Sequence, residues 1–376
     1  MTMWVIIMWT TLVLTGAALV YVSNRVCRFG IISRLTGNSE KLKALIGGGI
    51  VFGGFGVSTW LLNFMNAVVI IIYFAMFWLV SDFVFYLLIK LRGRAFKRYY
   101  SGVCAVLGAV ISLACGWYLD HNVWRTEYKL PSAKMAENLK IVMFADSHIG
   151  TTFNADGFAE HLDAMQRENP DAIVIVGDFV DDDTDRENML KSVQKLGAMQ
   201  TKYGIFFVFG NHDKGYYGAA RRGFSADELI AELQKNGITV LRDETADIDG
   251  KFYIIGRRDF SEVRERGKQR KSMNELLQNL AADRYMIVLD HQPTDYKNQA
   301  VSGVDLVLSG HTHGGQLFPF NQVGKWIGAN DSIYGREKRQ NTDFIVTSGI
   351  SDWTIKFKTG TKSEYVVLNI KAIKGD

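Results

Sequence analysis

The sequence predicts an α/β domain with some antiparallel pairing, preceded by a bundle of four hydrophobic helices. Three observations lead there. Long apolar stretches crowd into residues 1–119, short apolar runs alternate with helical patterns from about Asp120 onward, and clusters of His, Asp, Asn and Gly fall just past several of those runs. The expected organisation is a four-span membrane region over residues 1–119 and an α/β domain over residues 120–376.

Four stretches are long enough to cross a hydrocarbon core, which takes about 20 residues of helix: Met3 to Val22, Ala44 to Leu62, Ala67 to Leu88 and Val103 to Leu119. The first lacks the positive leading segment of a signal peptide and is expected to be retained. Asp82 lies inside the third, where a carboxylate needs a partner or a watery cavity. The loop Ser23 to Lys43 carries five Lys or Arg, the loop Lys90 to Tyr100 another five, and the link Asn63 to Asn66 none. Basic loops stay on the cytoplasmic side. The expectation is therefore a multi-pass integral protein of the plasma or inner membrane, with its C-terminal domain outside the cytoplasm.

Residues 1–119 have a net charge of +8, which leaves −4 for the rest of a chain whose total is +4. The positive excess sits beside hydrophobic spans, so nucleic acid is not an expected partner and the lipid bilayer is. All three cysteines, Cys27, Cys104 and Cys115, fall in the hydrophobic part. A metal in the second domain must then be held by oxygen and imidazole nitrogen.

In that domain Ile141 to Phe144, Ala172 to Val176 and Ile205 to Phe209 read as buried strands, and Asp156 to Arg167 and Arg186 to Met199 as helices. Ser225 with Glu228 three residues on reads as a capping box. Asp249-Gly250 reads as a hairpin turn, and Tyr365 to Ile370 as a closing strand.

The polar signals follow strand ends, where open α/β sheets present ligand sites. They are Asp146-Ser147-His148, Gly177-Asp178, Gly210-Asn211-His212-Asp213, His291 and Gly310-His311-Thr312-His313. Each alone is a weak signal. Together they hold five of the chain's seven histidines, and a His, Asp and Asn set without Cys suits two adjacent divalent ions of the Mn, Fe or Zn type. Gly177, Gly210 and Gly310 stand where a ligand-bearing loop must approach closely.

The ordered set D-x-H, G-D, G-N-H-D, H and G-H-T-H resembles the calcineurin-like metallophosphoesterase superfamily over about residues 138–371. Asp290-His291-Gln292-Pro293 and Ser309 to Gln316 further resemble its membrane-associated branch, similar to YkuE and YaeI. The tail departs from that pattern: Thr354 to Lys362 stands where those relatives usually have a Pro-rich stretch. The resemblance implies a β-sandwich of metallophosphoesterase type flanked by helices, and a metal-dependent hydrolase acting on a phosphate ester. It implies that Asp146, His148 and His313 hold one ion and that Asn211, His291 and His311 hold the other. Asp178 would bridge the two. His212 would lie over the phosphate, where it stabilises charge or protonates the leaving oxygen, with Asp213 orienting its ring. Two ions about 3.5–4 Å apart lower the pKa of a shared water and stabilise entering and leaving oxygens.

Tethering to the membrane makes a lipid or lipid-linked phosphate the expected substrate. Leu317-Phe318-Pro319-Phe320 with Trp326 and Ile327 reads either as an apolar rim or as packing beneath the site. The basic run Arg257 to Lys271 reads either as a headgroup-facing surface or as a solvated loop. The alternatives to a lipid phosphoesterase are a metal-binding membrane sensor or scaffold without turnover and a phosphodiesterase acting on a soluble substrate.

Overall fold

The computed structural model describes residues 3–37, 39–267 and 269–373. The chain divides into two compact units, Met1–Trp117 with Thr354–Lys356, and Tyr118–Trp353 with Phe357–Asp376.

In the first unit, helices Glu40–Leu61, Phe64–Arg92 and Tyr100–His121 are long and apolar enough to cross a membrane. The first expected span lies on the helix Met3–Val26. The helix Phe64–Arg92 overruns its apolar stretch because its ends are set by caps. Asn63 accepts the Asn66 N–H at 2.9 Å to start the helix Phe64–Arg92, and Gly93 closes it at φ 71°. Asp82 accepts from Ser101 Oγ at 2.9 Å and pairs with Arg25 at 3.0 Å. That pairing satisfies the carboxylate within the helical unit, the structural of the two roles open to it.

The second unit contains two mixed six-stranded sheets. Its strands are β1 (Val123–Ser132), β2 (Leu139–Phe144), β3 (Ala172–Val176), β4 (Ile205–Val208), β5 (Ile238–Val240), β6 (Glu244–Ile248), β7 (Phe252–Gly256), β8 (Tyr285–Leu289), β9 (Leu306–Ser309), β10 (Gly335–Arg339), β11 (Thr342–Val346) and β12 (Ser363–Ala372). One sheet has the order β1-β12-β2-β3-β4-β5 and the other β10-β11-β9-β8-β7-β6. Within them β2-β3-β4-β5 and β7-β8-β9-β11 run parallel, while β12 on β2, β6 on β7 and β10 on β11 are antiparallel.

Period two sorts the side chains. Ile141, Met143, Val174, Val176 and Val208 share a core with Ile254, Ile287, Leu289 and Leu308 of the other sheet. Their neighbours Val142, Phe144, Ile173, Ile175 and Phe207 point the opposite way, packing with Phe158, Leu162, Met189 and Leu229 from the helices Ala155–Gln166, Arg186–Gly197 and Ala226–Lys235. Each fully buried phenylalanine in that layer contributes about 1.5–3 kcal/mol. The short-range signals hold locally: Ser225 and Glu228 form both bonds of the capping box. Asp249 and Gly250 take φ 52° and 68° between the antiparallel strands β6 and β7, the geometry of a tight hairpin turn.

Candidate metal centre

The parallel strands β2, β3, β4, β8 and β9 each end immediately before one of the polar clusters, so their C-terminal ends deliver the cluster side chains. Asp146, His148 and His313 come together with one ligand atom apiece, all within 4.8 Å of one another. Asp178, His291 and His311 form a second such group at the same limit. Asp178 Oδ2 lies 3.1 Å from His291 Nε2 and 3.8 Å from His148 Nε2, which places one carboxylate oxygen between the groups.

The histidines are aimed from behind. His291 Nδ1 is 2.7 Å from the carbonyl oxygen of Val176, His313 Nδ1 is 3.1 Å from that of Ser351, and His148 Nδ1 is 3.1 Å from Asp181 Oδ2. These oxygens only accept, so in the neutral ring Nδ1 carries the proton and Nε2 presents a lone pair. His148 Nε2 and His291 Nε2 are buried and make no hydrogen bond among the described residues, and neither does Asn211 Oδ1. The Asn211 amide donates its N–H to Tyr216 Oη at 3.1 Å, which turns the oxygen the other way. Two of these buried atoms face the Asp178 carboxylate, His148 Nε2 and His291 Nε2, an arrangement that fits cations. Bound divalent ions would be held by these seven side chains.

Backbone conformation carries the cost of this convergence. Asp146, His148, Asp178, His311 and His313 all have φ between 39° and 71°, the left-handed region that L side chains avoid. Close approach also demands glycine: a Cβ on Gly310 would stand 2.7 Å from Asp146 Oδ2, and one on Gly210 would collide with Asp178 Oδ1.

Protonation in the metal-free cluster reflects the crowding. Burial pushes Asp146 up to about 6. Burial also opposes protonation of His148, but the carboxylates of Asp181, Asp178 and Asp146 outweigh it and raise that ring to about 9.

His212 lies at the edge of the cluster, its ring centroid 5.0 Å from that of His148, 5.3 Å from Tyr216 and 5.5 Å from Trp353. Its backbone N–H donates to Asp178 Oδ1 at 2.8 Å. Burial holds its ring below the usual imidazole value.

Asp213 differs from expectation. Its carboxylate accepts from the backbone N–H groups of Asp178 (2.8 Å), Phe179 (2.8 Å), Val180 (3.0 Å) and Gly210 (2.7 Å). Both oxygens are spent bracing the turn that carries Asp178, so the positions beside the His212 ring belong to Tyr216 and Trp353 instead. A buried carboxylate with four main-chain donors is a fastener for two strand ends.

The basic run also corrects one reading. Arg257 is buried and pairs with Asp290 and Asp295, each at 3.0 Å, Arg270 pairs with Asp290, and Lys271 donates to the Asp243 carbonyl at 3.0 Å. Arg257 and Arg270 are used inside the domain rather than offered to headgroups, while Lys271 is exposed. The side chains of Arg264, Arg266 and Lys268 lie outside the described residues. Leu317 is half-buried, whereas Phe318, Phe320, Trp326 and Ile327 are exposed, Trp326 to 73%. Packing beneath the site does not describe those four.

Three contributors were not singled out from sequence: Asp181 behind His148, Tyr216 on Asn211, and Ser351 behind His313. Asp181 follows the G-D motif by three residues and was the most accessible of them; the carbonyl of Ser351 has no side-chain signature.

The profile described as calcineurin-like phosphoesterase matches residues 139–315. An uncharacterized metallophosphoesterase of Aquifex aeolicus is 33% identical over 204 residues, covering 54% of this chain and 74% of its own. One from Campylobacter jejuni is 31% identical over 255 residues, covering 67% of this chain and 64% of its own, so this chain spans just under two thirds of that relative's length. A Bos taurus protein described as a transmembrane protein with metallophosphoesterase domain is 27% identical over 258 residues, 65% of this chain and 55% of its own. With these matches and the five ordered motif blocks, the chain belongs to the calcineurin-like metallophosphoesterases.

Proposed function

We propose that the protein is a membrane-anchored phosphoesterase that uses two divalent ions of the Mn, Fe or Zn type and acts on a lipid or lipid-linked phosphate ester. The observation that carries the reading is the pair of buried donor groups meeting at Asp178. In this reading Asp146, His148 and His313 hold one ion, Asn211, His291 and His311 the other, and Asp178 both. The ions supply Lewis acidity and an activated water. His212, outside both ligand sets, donates a proton to the leaving oxygen. Asp213 keeps the Asp178 turn in register, and Tyr216 and Trp353 wall the His212 ring. We read the two sheets with their common core as the layers of a sandwich.

Two observations support a membrane substrate. Three helices suit a bilayer, and Phe318, Phe320, Trp326 and Ile327 present exposed apolar and aromatic surface shortly after the G-H-T-H motif, of the kind favoured at lipid interfaces. We place the helix Met3–Val26 as a fourth span, with both basic loops cytoplasmic and the phosphoesterase unit outside.

The test is full-length protein in lipid nanodiscs with Mn²⁺, assayed against lipid phosphates and soluble mono- and diesters while metal content is measured. Two ions per chain and faster turnover of lipid phosphates are expected. Absence of hydrolysis across the panel with both ions bound would remove the enzyme reading, and preference for soluble esters would remove the lipid one. A reporter fused after Asp376 that is active only in the cytoplasm would reverse the topology.

A further inference from the structure

The segment that departs from the family pattern, Thr354 to Lys362, carries a lysine with no exposed surface. Lys358 is 0% accessible. Its Nζ donates at 2.9 Å to the carbonyl oxygens of Ser348 and Ser351 and to Ser363 Oγ, and lies 3.5 Å from the Gly349 carbonyl. An ammonium has three N–H donors, and three acceptors at 2.9 Å use them all. Burial holds its pKa below the usual lysine value, while the carboxylates of Asp120, Asp352, Asp146 and Glu364 oppose that and favour its charge. A buried cation placed among main-chain carbonyls is costly unless those bonds are needed.

The bonds converge on one turn. Residues 348–351 follow β11, and Ile350 N–H donates to the Ala145 carbonyl at 3.0 Å, which ties the turn to the end of β2. Gly349 sits against Asp146: a Cβ there would stand 2.7 Å from the Asp146 Cβ. One residue beyond Ile350, the Ser351 carbonyl accepts from both Lys358 Nζ and His313 Nδ1. Asp146 and His313 belong to the same donor group.

We propose that Lys358 is a positioning residue for one of the two metal sites, locking the 348–351 turn so that Ser351 aims His313 and Gly349 backs Asp146. The inference rests on the two-ion reading. The expected effect is selective: Asp178 and His291 have their own supports, in Asp213 and Val176, while His311 meets the group that Lys358 backs through its main-chain N–H, which donates to Asp146.

The experiment uses full-length protein stripped with chelator and titrated with Mn²⁺ by calorimetry, with bound metal counted by mass spectrometry. Wild type is expected to take two ions. Lys358→Met keeps the stem but loses the donors, and it should retain one ion at wild-type affinity while the other weakens about 10- to 100-fold, the usual effect of losing an outer-shell partner. Lys358→Arg, which restores donors and charge, should recover most of that loss. Adding His313→Ala to Lys358→Met should cost little more, whereas adding His311→Ala should remove the remaining ion, because only residues of one site are coupled. Both ions bound at wild-type affinity in Lys358→Met would overturn the proposal, as would equal weakening of both sites with a lowered Tm, the mark of general fold support. If Lys358→Met does not fold, Ser363→Ala decides, with a few-fold loss at one ion expected and no change at either ion overturning it. Wild type binding fewer than two ions is a distinct result that defeats the two-ion reading and this inference with it.

Discussion

The two donor groups are built from the same residue types but are held in place by different parts of the chain. Around Asp178, Asn211 and His291 the supports are near at hand: Val176 O braces His291 from two residues before Asp178, and Asp213 braces Asp178 from two residues past Asn211. Around Asp146, His148 and His313 they arrive from elsewhere, with Asp181 from the loop after β3 and Ser351 and Lys358 from the chain's last segments. The first group is braced largely by residues of its own motif blocks, at strand ends drawn from both sheets. The second is complete only when the C-terminal region has folded onto the sheet.

Asp178 sets one carboxylate oxygen between the groups, so Asp178→Asn should have the largest effect. Loss of a shared negative ligand is expected to lower affinity for both ions by more than the roughly 10- to 100-fold typical of an outer-shell partner, with activity falling in parallel. Metal counting on purified protein checks this, and loss of a single ion would mean that the groups do not share the carboxylate.

His212→Ala should separate ligation from chemistry. Both ions are expected to stay bound while turnover falls about 10²- to 10⁴-fold, the range for a lost proton donor. The loss should shrink for p-nitrophenyl esters, whose leaving group needs little protonation. Equal activity of variant and wild type on every substrate would favour a metal-binding sensor or scaffold.

A pair of outer substitutions tests the difference between the groups directly. Asp181→Asn removes the acceptor behind His148 and should weaken one ion about 10- to 100-fold, leaving the other. Asp213→Asn disturbs the turn under Asp178 and should weaken both. The reverse pattern in metal titrations would show that the supports cross between groups.

The smallest effect concerns protons. In the metal-free protein His148 is raised to about 9 and Asp146 to about 6; a metal needs the imidazole neutral and the carboxylate ionised. Burial also opposes protonation of His291, yet Asp178 and Asp146 raise that ring well above the usual imidazole value, so binding at pH 7 should release protons from both rings, and affinity should rise with pH until His148 has lost its proton near pH 9. Calorimetry of Mn²⁺ binding in buffers of different ionisation enthalpy measures the release, and a value of zero would show that His148 is neutral before the metal arrives.

Sequence alone determined the apolar helices, several strands and helices of the second unit, and the motif residues that follow its strand ends. Those features are written in local composition: unbroken apolar length marks Phe64–Arg92, buried parallel strands such as Ala172–Val176 read as continuous apolar runs, and cation-binding side chains stand out when they recur after strands. Tertiary structure alone decided what holds them. Asp213 sits beside His212 in sequence yet bonds three amides of the turn after β3 and one of its own, because the folded turn points its carboxylate away from the His212 ring. The basic run after Arg257 is partly buried in ion pairs because Asp290, 33 residues on, ends the neighbouring strand. Lys358 carries no motif at all; its role comes from three acceptors brought to one point by the packing of β11, β12 and the turn between them, a long-range coincidence that no local pattern encodes.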